Sequence, residues 1–104
     1  IISQIAQGMF PDDQAYWQYW QKSVFEPIGV NSGTFATDTL GTWVGGSYVW
    51  ANTGDWAKLG QLMLNDGAWN SQQVIPKGWW KLAGTPAMPD GEGHGYGAQN
   101  WIPG

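Results

Sequence analysis

The stretch from residue 52 to residue 67 constrains the fold most, because it carries both a start signal and a stop signal for one helix. Asn52 and Thr53 are good N-cap residues, and Asp55 falls in the first turn, where negative charge is favourable. Asn65-Asp66-Gly67 ends the run. Helical spacing of the apolar residues predicts a core face of Trp56, Leu59, Gly60 and Met63, widened by Leu62 and Leu64. Glycine costs about 1 kcal/mol against alanine inside a helix, so Gly60 predicts the close approach of another backbone.

Two further helices are predicted before this one. Isoleucines at positions 1, 2 and 5 predict a short helix that ends at Gly8. Asp12 or Asp13 caps a second helix that runs to about Ser23, with a core-facing stripe of Trp17, Trp20 and Val24. Gly, Thr, Ser and Asn dominate residues 30–46, which predicts a long loop with at most short strands.

The remainder of the chain predicts shorter elements. Asn70-Ser71 predicts a turn, and residues 73–75 follow as a short extended segment. Pro76 is favourable as the first residue of a helix that runs to Gly84. A loop over 85–93 leads to one strand over 96–102, which its glycines weaken. The predicted fold class is therefore α+β, predominantly helical, with a few short strands including one near the C-terminus.

Composition excludes several classes of partner. The 104 residues carry only 12% charged side chains, and their four cations are all lysines, in a net charge of −4. Nucleic-acid binding and anionic membrane surfaces require clustered cations, so neither is predicted. No apolar run approaches the roughly 20 residues that span a bilayer. The absence of cysteine removes disulfides, thiol catalysis and cysteine-based zinc sites.

Nine tryptophans leave two interpretations open. One is an aromatic-lined groove, as in a non-enzymatic, Trp-rich binding module for glycans or peptides. The other is a core that uses tryptophan as a filler with its N–H near a partner. Binding modules of the first kind are usually β-rich, whereas this chain shows helical periodicity, which favours the second interpretation.

The common catalytic and metal-binding layouts are missing from the sequence. None of the four lysines has a serine three positions before it, so there is no Ser-x-x-Lys pair. His94 is the single histidine and lies among glycines. The segment 90–94 lacks the ligand number and spacing of known calcium or zinc sites. We predict no catalytic residue, no metal ligand and no cofactor site within the chain.

Five stretches resemble the serine hydrolases of the class C β-lactamase type. This penicillin-binding-protein-like group also holds D-alanyl-D-alanine carboxypeptidases, esterases and 6-aminohexanoate-dimer hydrolases. The stretches cover nearly the whole chain in the order that the family has: VFEPIG (24–29), GGS (45–47), ANTGDWAKLGQLMLNDG (51–67), VIPKGW (74–79) and GYGAQNW (95–101). The family often has Arg where Lys58 stands, and Gly54 is unusual just after the cap.

The resemblance implies that the chain is an interval between two catalytic motifs. Ser-x-x-Lys and Tyr-x-Asn lie before this region in the family, and a His- or Lys-containing strand lies after it. Residues 1–104 are then a single fragment, a helical subdomain plus the start of a core strand of a β-lactamase/transpeptidase-like fold. The apolar start without a cap and the end at Gly104 agree with an excised piece.

The family performs acyl transfer, so the resemblance implies a small-molecule amide, ester or β-lactam substrate for the full protein. The chain alone is expected to be inactive, because it lacks the nucleophile. Position before the cap at residues 52–53 predicts Trp43, Tyr48 and Trp50 as cleft residues, with simple packing as the alternative. Exposed aromatics predict oligomerisation of a truncated chain. Relatives of this type are frequent in the periplasm and the cell envelope.

Overall fold

The computed structural model describes residues 1–89, 95–98 and 100–102. Within these residues the chain is α+β, as predicted, and its helices contribute more residues than its strands. The chain divides into two units, Ile1–Gly60 and Gln61–Gly104. None of the described helices has the length and apolar character that crossing a bilayer requires.

The elements follow one another as short segments. The helices are α1 (Ile2–Gln7), α2 (Asp13–Trp20), α3 (Thr53–Leu64) and α4 (Trp79–Ala83), and a π-helical turn spans Gln21–Phe25. The strands are β1 (Thr34–Phe35), β2 (Val49–Trp50), β3 (Ala68–Trp69), β4 (Gln72–Gln73), β5 (Met88–Pro89), β6 (Gly95–Tyr96) and β7 (Trp101–Ile102).

The first two helices begin and end close to their predicted positions. Helix α1 ends at Gly8. The side chain of Asp12 caps α2 by accepting a hydrogen bond from the backbone N–H of Ala15 at 2.8 Å. The α-helix stops at Trp20, and the chain continues in a wider π-helical turn in which Glu26 N–H donates to the carbonyl of Gln21.

The core stripe predicted on α2 is wrong for its two tryptophans. Trp17 and Trp20 are partly exposed, whereas Tyr16 is fully buried. The π-helical turn that follows departs from α-helical spacing, and two consecutive residues within it, Val24 and Phe25, are both buried. Trp17 stays near the surface, where its indole N–H donates to the carbonyl of Gly41 at 2.8 Å. The core of the first unit contains Tyr16, Val24, Phe25, Ile28 and Val30.

Residues 34–50 form an antiparallel hairpin rather than an irregular loop. Thr34 pairs with Trp50 and Phe35 pairs with Val49, and an isolated bridge joins Thr37 to Trp43. This confirms the prediction of at most short strands in the region.

Helix α3 forms where the sequence predicts it, but its buried face differs. The side chain of Asn52 caps it by accepting from Asp55 N–H at 2.8 Å. Asp55 and Leu62 are buried, whereas the predicted inward residues Trp56 and Met63 are about half exposed. The backbone contact predicted at Gly60 is wrong, because no described atom lies within 4 Å of a Cβ built there.

The second unit begins with the last turn of α3, and the β3–β4 hairpin follows. Its turn residues Asn70 and Ser71 both have positive φ, as a two-residue type I′ turn requires. This confirms the predicted turn. The following helix begins at Trp79 rather than Pro76. Gly78 has φ +79°, so the helix cannot include it and begins at the next residue. The N–H of Gly78 donates to the carboxylate of Asp66 at 2.9 Å.

The single strand predicted over 96–102 is two strands. Strand β6 pairs with β5 on one side and with β7 on the other, all antiparallel. The chain reverses after Gly97, whose N–H donates to the carbonyl of Asn100. A side chain at Gly97 would overlap the backbone of Ala83, so glycine permits this close approach.

Candidate functional site

The three predicted cleft aromatics all lie on the hairpin formed by residues 34–50. Backbone hydrogen bonds hold it together, including those from Ala36 N–H to the Tyr48 carbonyl and from Val44 N–H to the Ala36 carbonyl, each 3.1 Å long. The structure places the three side chains in two different settings. Trp43 joins an aromatic cluster inside the first unit, whereas Tyr48 and Trp50 form a pair at its surface.

Trp43 is half-buried and held in a fixed position. Its ring stacks on Tyr16 with centroids 4.2 Å apart and planes 27° apart, and on Phe35 at 5.4 Å and 22°. Its backbone N–H donates to the Tyr16 hydroxyl at 3.0 Å, which satisfies that buried side chain. Phe25 extends the cluster by stacking on Phe35 at 5.3 Å. These contacts give Trp43 a packing role.

Trp43 also borders a groove of about 320 Å³ beside the hairpin. This volume is at the lower end of the range for small-molecule sites, which extends from roughly 300 to 1,000 Å³. Aromatic rings form its apolar walls, and two hydroxyls and one side-chain amide supply polar groups. The lining residues are Trp17, Gln21, Gly33, Thr34, Phe35, Thr37 and Trp43.

Tyr48 and Trp50 keep more than half of their surface in solvent, at 58% and 53% exposure. Their ring centroids lie 5.8 Å apart, and the ring planes are tilted by 44°. Tyr48 has φ +63°, a left-handed conformation that is rare for a bulky side chain. The hairpin therefore presents two adjacent aromatic side chains to solvent, one of them on a strained backbone.

A cluster of polar contacts attaches the segment before the hairpin to the first turn of α3. One oxygen of the buried Asp55 carboxylate accepts from Asn31 N–H at 3.0 Å, from Ser32 N–H at 2.9 Å and from the Ser32 hydroxyl at 2.7 Å. The other oxygen accepts from the Lys58 ammonium at 2.7 Å. Lys58 also donates to the carbonyl of Gly29. We call this set, Gly29, Asn31, Ser32, Asp55 and Lys58, the Asp55 anchor.

The electrostatics of the Asp55 anchor suit a structural role. The Lys58 ammonium, followed by the hydroxyl and N–H of Ser32, holds the pKa of the Asp55 carboxyl well below its usual range and outweighs the opposing effect of burial. A carboxylate of such low pKa is a poor proton acceptor. Ser32 therefore donates to a weak base, and its oxygen also accepts from Asn52 N–H at 2.9 Å, so its hydroxyl is bound rather than activated.

Reasoning from the sequence missed the residues that build these sites. Trp17 and Phe35 line the groove, although Trp17 was expected to face the core. Asp55 was expected only as a favourable charge in the first turn. The spacing of Asp55 and Lys58, three residues apart on a helix, is a signal for their ion pair. No local sequence pattern identifies Ser32 as a hydrogen-bond donor to Asp55, because Ser32 lies 23 residues upstream.

No three His, Asp or Glu side chains come together as metal ligands within the described residues. The segment 90–94, including His94, lies outside the part of the chain that the structure describes.

Comparison of this chain with known proteins found no matching family model, no matching curated protein and no matching solved structure. Its function is therefore inferred from its residues and their geometry.

Proposed function

We propose that the chain is the helical subdomain of a serine hydrolase of the class C β-lactamase type, between the second and third catalytic motifs. In this proposal the nucleophilic serine and its lysine belong to parts of the protein outside residues 1–104. The serine attacks a small amide, ester or β-lactam carbonyl, and water then releases the acyl group. The chain contributes scaffold and part of a cleft wall, and it has no hydrolytic activity by itself.

The observation that carries this proposal is the direct contact between two of the family-like stretches. Stretch 24–29 ends at Gly29, whose carbonyl accepts a hydrogen bond from Lys58 of stretch 51–67. Lys58 occupies the cationic position of the family pattern, and its acidic partner Asp55 holds the backbone just beyond Gly29. The residues that define the two patterns thus bind each other, which supports their origin in one scaffold.

A second pair of stretches is joined in the same way. The carbonyl of Gly67, at the end of stretch 51–67, accepts from the N–H groups of Val74 and Ile75 in stretch 74–79. Asp66 adds its carboxylate to the N–H of Gly78 at 2.9 and 3.0 Å. A side chain at Gly67 would overlap Ile75, and its φ of +81° also requires glycine. The glycine of the family-like pattern therefore has a defined structural reason in this chain.

The cleft residues of the proposal are Trp43, Tyr48 and Trp50. Trp43 borders the groove of about 320 Å³, and the other two aromatics are available at the surface. Their position on one hairpin, just before the capped helix α3, supports this assignment, with Trp43 beside the groove and the other two outside its lining.

Covalent labelling of the complete protein tests the proposal. The reading frame that contains this chain is expressed and treated with a fluorophosphonate probe, and the modified serine is mapped by mass spectrometry. We expect one labelled serine, followed three residues later by lysine and located before Ile1. Substitution of that serine by alanine should abolish the label.

The isolated chain provides the matched control. Incubated with the same probe and with a chromogenic lactam or ester, it should show neither labelling nor turnover. A label on any serine within residues 1–104, or turnover by the chain alone, would contradict the proposal. So would a complete reading frame without a Ser-x-x-Lys sequence.

A further inference from the structure

The Tyr48–Trp50 pair has the form of a binding platform. Its two side chains are more than half exposed, and their rings lie 5.8 Å apart with planes tilted by 44°. Aromatic side chains of this size usually bury most of their surface, and exposed adjacent pairs mark interaction sites more often than single exposed residues do. We call these two side chains the Tyr48–Trp50 platform.

Tyr48 occupies the platform in a strained backbone conformation. Its φ of +63° costs on the order of 1 kcal/mol or more for a residue with a bulky side chain. Gly45 and Gly46 lie three and two positions before it, yet the positive φ falls on Tyr48 and not on either glycine, which could adopt it without this cost. Strained positions of this kind persist where surrounding structure holds them and are concentrated at ligand sites. Tyr48 thus combines an exposed ring with a strained backbone, a combination that points to a ligand site.

The stretch of chain that carries the platform is uncharged. No charged residue occurs between positions 39 and 54. Thr34 lies directly across the hairpin from Trp50, which puts the two side chains on the same face of the ladder. The acids on either side of this stretch are already engaged: Asp38 accepts from the N–H groups of Leu40 and Thr42, and Asp55 belongs to the Asp55 anchor.

We propose that the Tyr48–Trp50 platform binds a neutral saccharide, with the C–H face of a sugar ring stacked on the two aromatic faces. A sugar ring presents apolar C–H groups on its faces and hydroxyls around its edge. The platform offers two exposed rings, and Thr34, which carries a hydroxyl, pairs with Trp50 across the hairpin. The stretch 39–54 offers no cation to an anionic ligand, and a bound organic cation is usually enclosed on more sides than two rings provide. This inference does not depend on the proposed hydrolase.

Titration of the ¹⁵N-labelled chain with soluble oligosaccharides tests the platform. The probes are linear oligomers of glucose, of N-acetylglucosamine and of mannose. The readout is the indole N–H signal of Trp50, assigned from the Trp50→Ala spectrum, and in every variant also the backbone amide signal of Thr34, which pairs with residue 50 across the hairpin. We expect a saturable shift of this signal with at least one oligomer. Tyr48→Ala and Trp50→Ala should each weaken binding about tenfold or more, whereas Tyr48→Phe should retain it because the ring remains.

The matched control is Trp101→Ala, which removes an exposed tryptophan, 84% accessible, from the other unit. It should leave the affinity unchanged. All four variants change exposed side chains, and their far-ultraviolet circular dichroism shows whether they fold. The inference is overturned if no oligomer gives a saturable shift. It is also overturned if only tetramethylammonium or a proline-rich peptide shifts the Trp50 signal, or if Trp101→Ala abolishes binding while Trp50→Ala does not.

Discussion

At the scale of single residues, Gly33 reports how closely the first unit is packed. A methyl group at this position would overlap the ring of Phe25, which is buried and stacked on Phe35. We expect Gly33→Ala to lower the free energy of unfolding by about 1–3 kcal/mol, because the core must shift to make room. Urea denaturation followed by circular dichroism measures the change.

Gly46→Ala is the matched control for this substitution. No described atom lies within 4 Å of a Cβ built at Gly46, which belongs to the exposed turn of the hairpin. Its unfolding free energy should stay the same or rise slightly, since alanine restricts the unfolded chain. Equal losses of stability in the two variants would show that the ring of Phe25 does not occupy the space beside Gly33.

Ser71 is a residue whose replacement should stabilise the chain. It is the second turn residue of the β3–β4 hairpin and has φ +65°, where glycine is the preferred residue of a type I′ turn. Ser71→Gly should raise the unfolding free energy by up to about 1 kcal/mol, because the strain of the left-handed conformation disappears. Ser71→Val should lower it. Thermal denaturation of the two variants checks both signs, and a lower midpoint for Ser71→Gly would contradict this account of the turn.

At the scale of elements, the Asp55 anchor makes the attachment of α3 depend on pH. Its ion pair and hydrogen bonds place the pKa of Asp55 lower in the folded chain than in the unfolded chain. The unfolded state therefore takes up the proton first as the pH falls. The stabilisation by ionised Asp55 is complete above the unfolded-state pKa of about 4 and is lost as the pH falls toward the folded-state pKa.

Asp55→Asn should consequently be less stable than the wild type at neutral pH, and its stability should fall less steeply below about pH 5. Urea midpoints measured across this range test the prediction. Glu26→Gln removes the same charge from an exposed position and should keep the wild-type slope. If the wild type and Asp55→Asn lost stability in parallel on acidification, Asp55 would not be the titrating group.

The elements that could be predicted are those whose signals are local. Asp12 and Asn52 cap the helices that they were expected to cap, and the turn at Asn70-Ser71 follows from residue types that tolerate positive φ. The faces of these helices could not be predicted from periodicity. Asp55 is buried because its partners come from a distant segment, and the strand expected over 96–102 is divided because Gly97 approaches Ala83.

The candidate site likewise has a part that the sequence could predict and a part that it could not. Position before the cap of α3 was enough to select Trp43, Tyr48 and Trp50, but it could not separate the packed ring from the exposed pair. That separation depends on Tyr16 and Phe35, which approach Trp43 from other segments. The part that these residues play in a substrate cleft stays a prediction, and the labelling of the complete protein is its test.

At the scale of the whole molecule, exposed apolar surface and low charge act together. Helix α1 has no buried residue, and Ile2 and Ile5 are 72% and 65% exposed. Trp101 adds an exposed aromatic in the second unit at 84%. With only 12% charged residues, electrostatic repulsion between copies is weak. Apolar surface of this kind favours association, so the isolated chain should self-associate in a concentration-dependent manner.

Two variants separate the possible surfaces of this association. Ile2→Gln/Ile5→Gln replaces the aliphatic face of α1 by good helix formers without changing the net charge. Trp101→Gln removes an exposed aromatic side chain, and exposed aromatics are the surface through which the sequence predicts oligomerisation. Because α1 combines two exposed isoleucines on one short helix, we expect its double variant to shift the chain further toward monomer than Trp101→Gln does. Sedimentation velocity across a dilution series measures both. A wild-type chain that stays monomeric throughout would contradict the predicted self-association. A larger effect of Trp101→Gln would show that the exposed tryptophan, and not the aliphatic face of α1, is the main association surface.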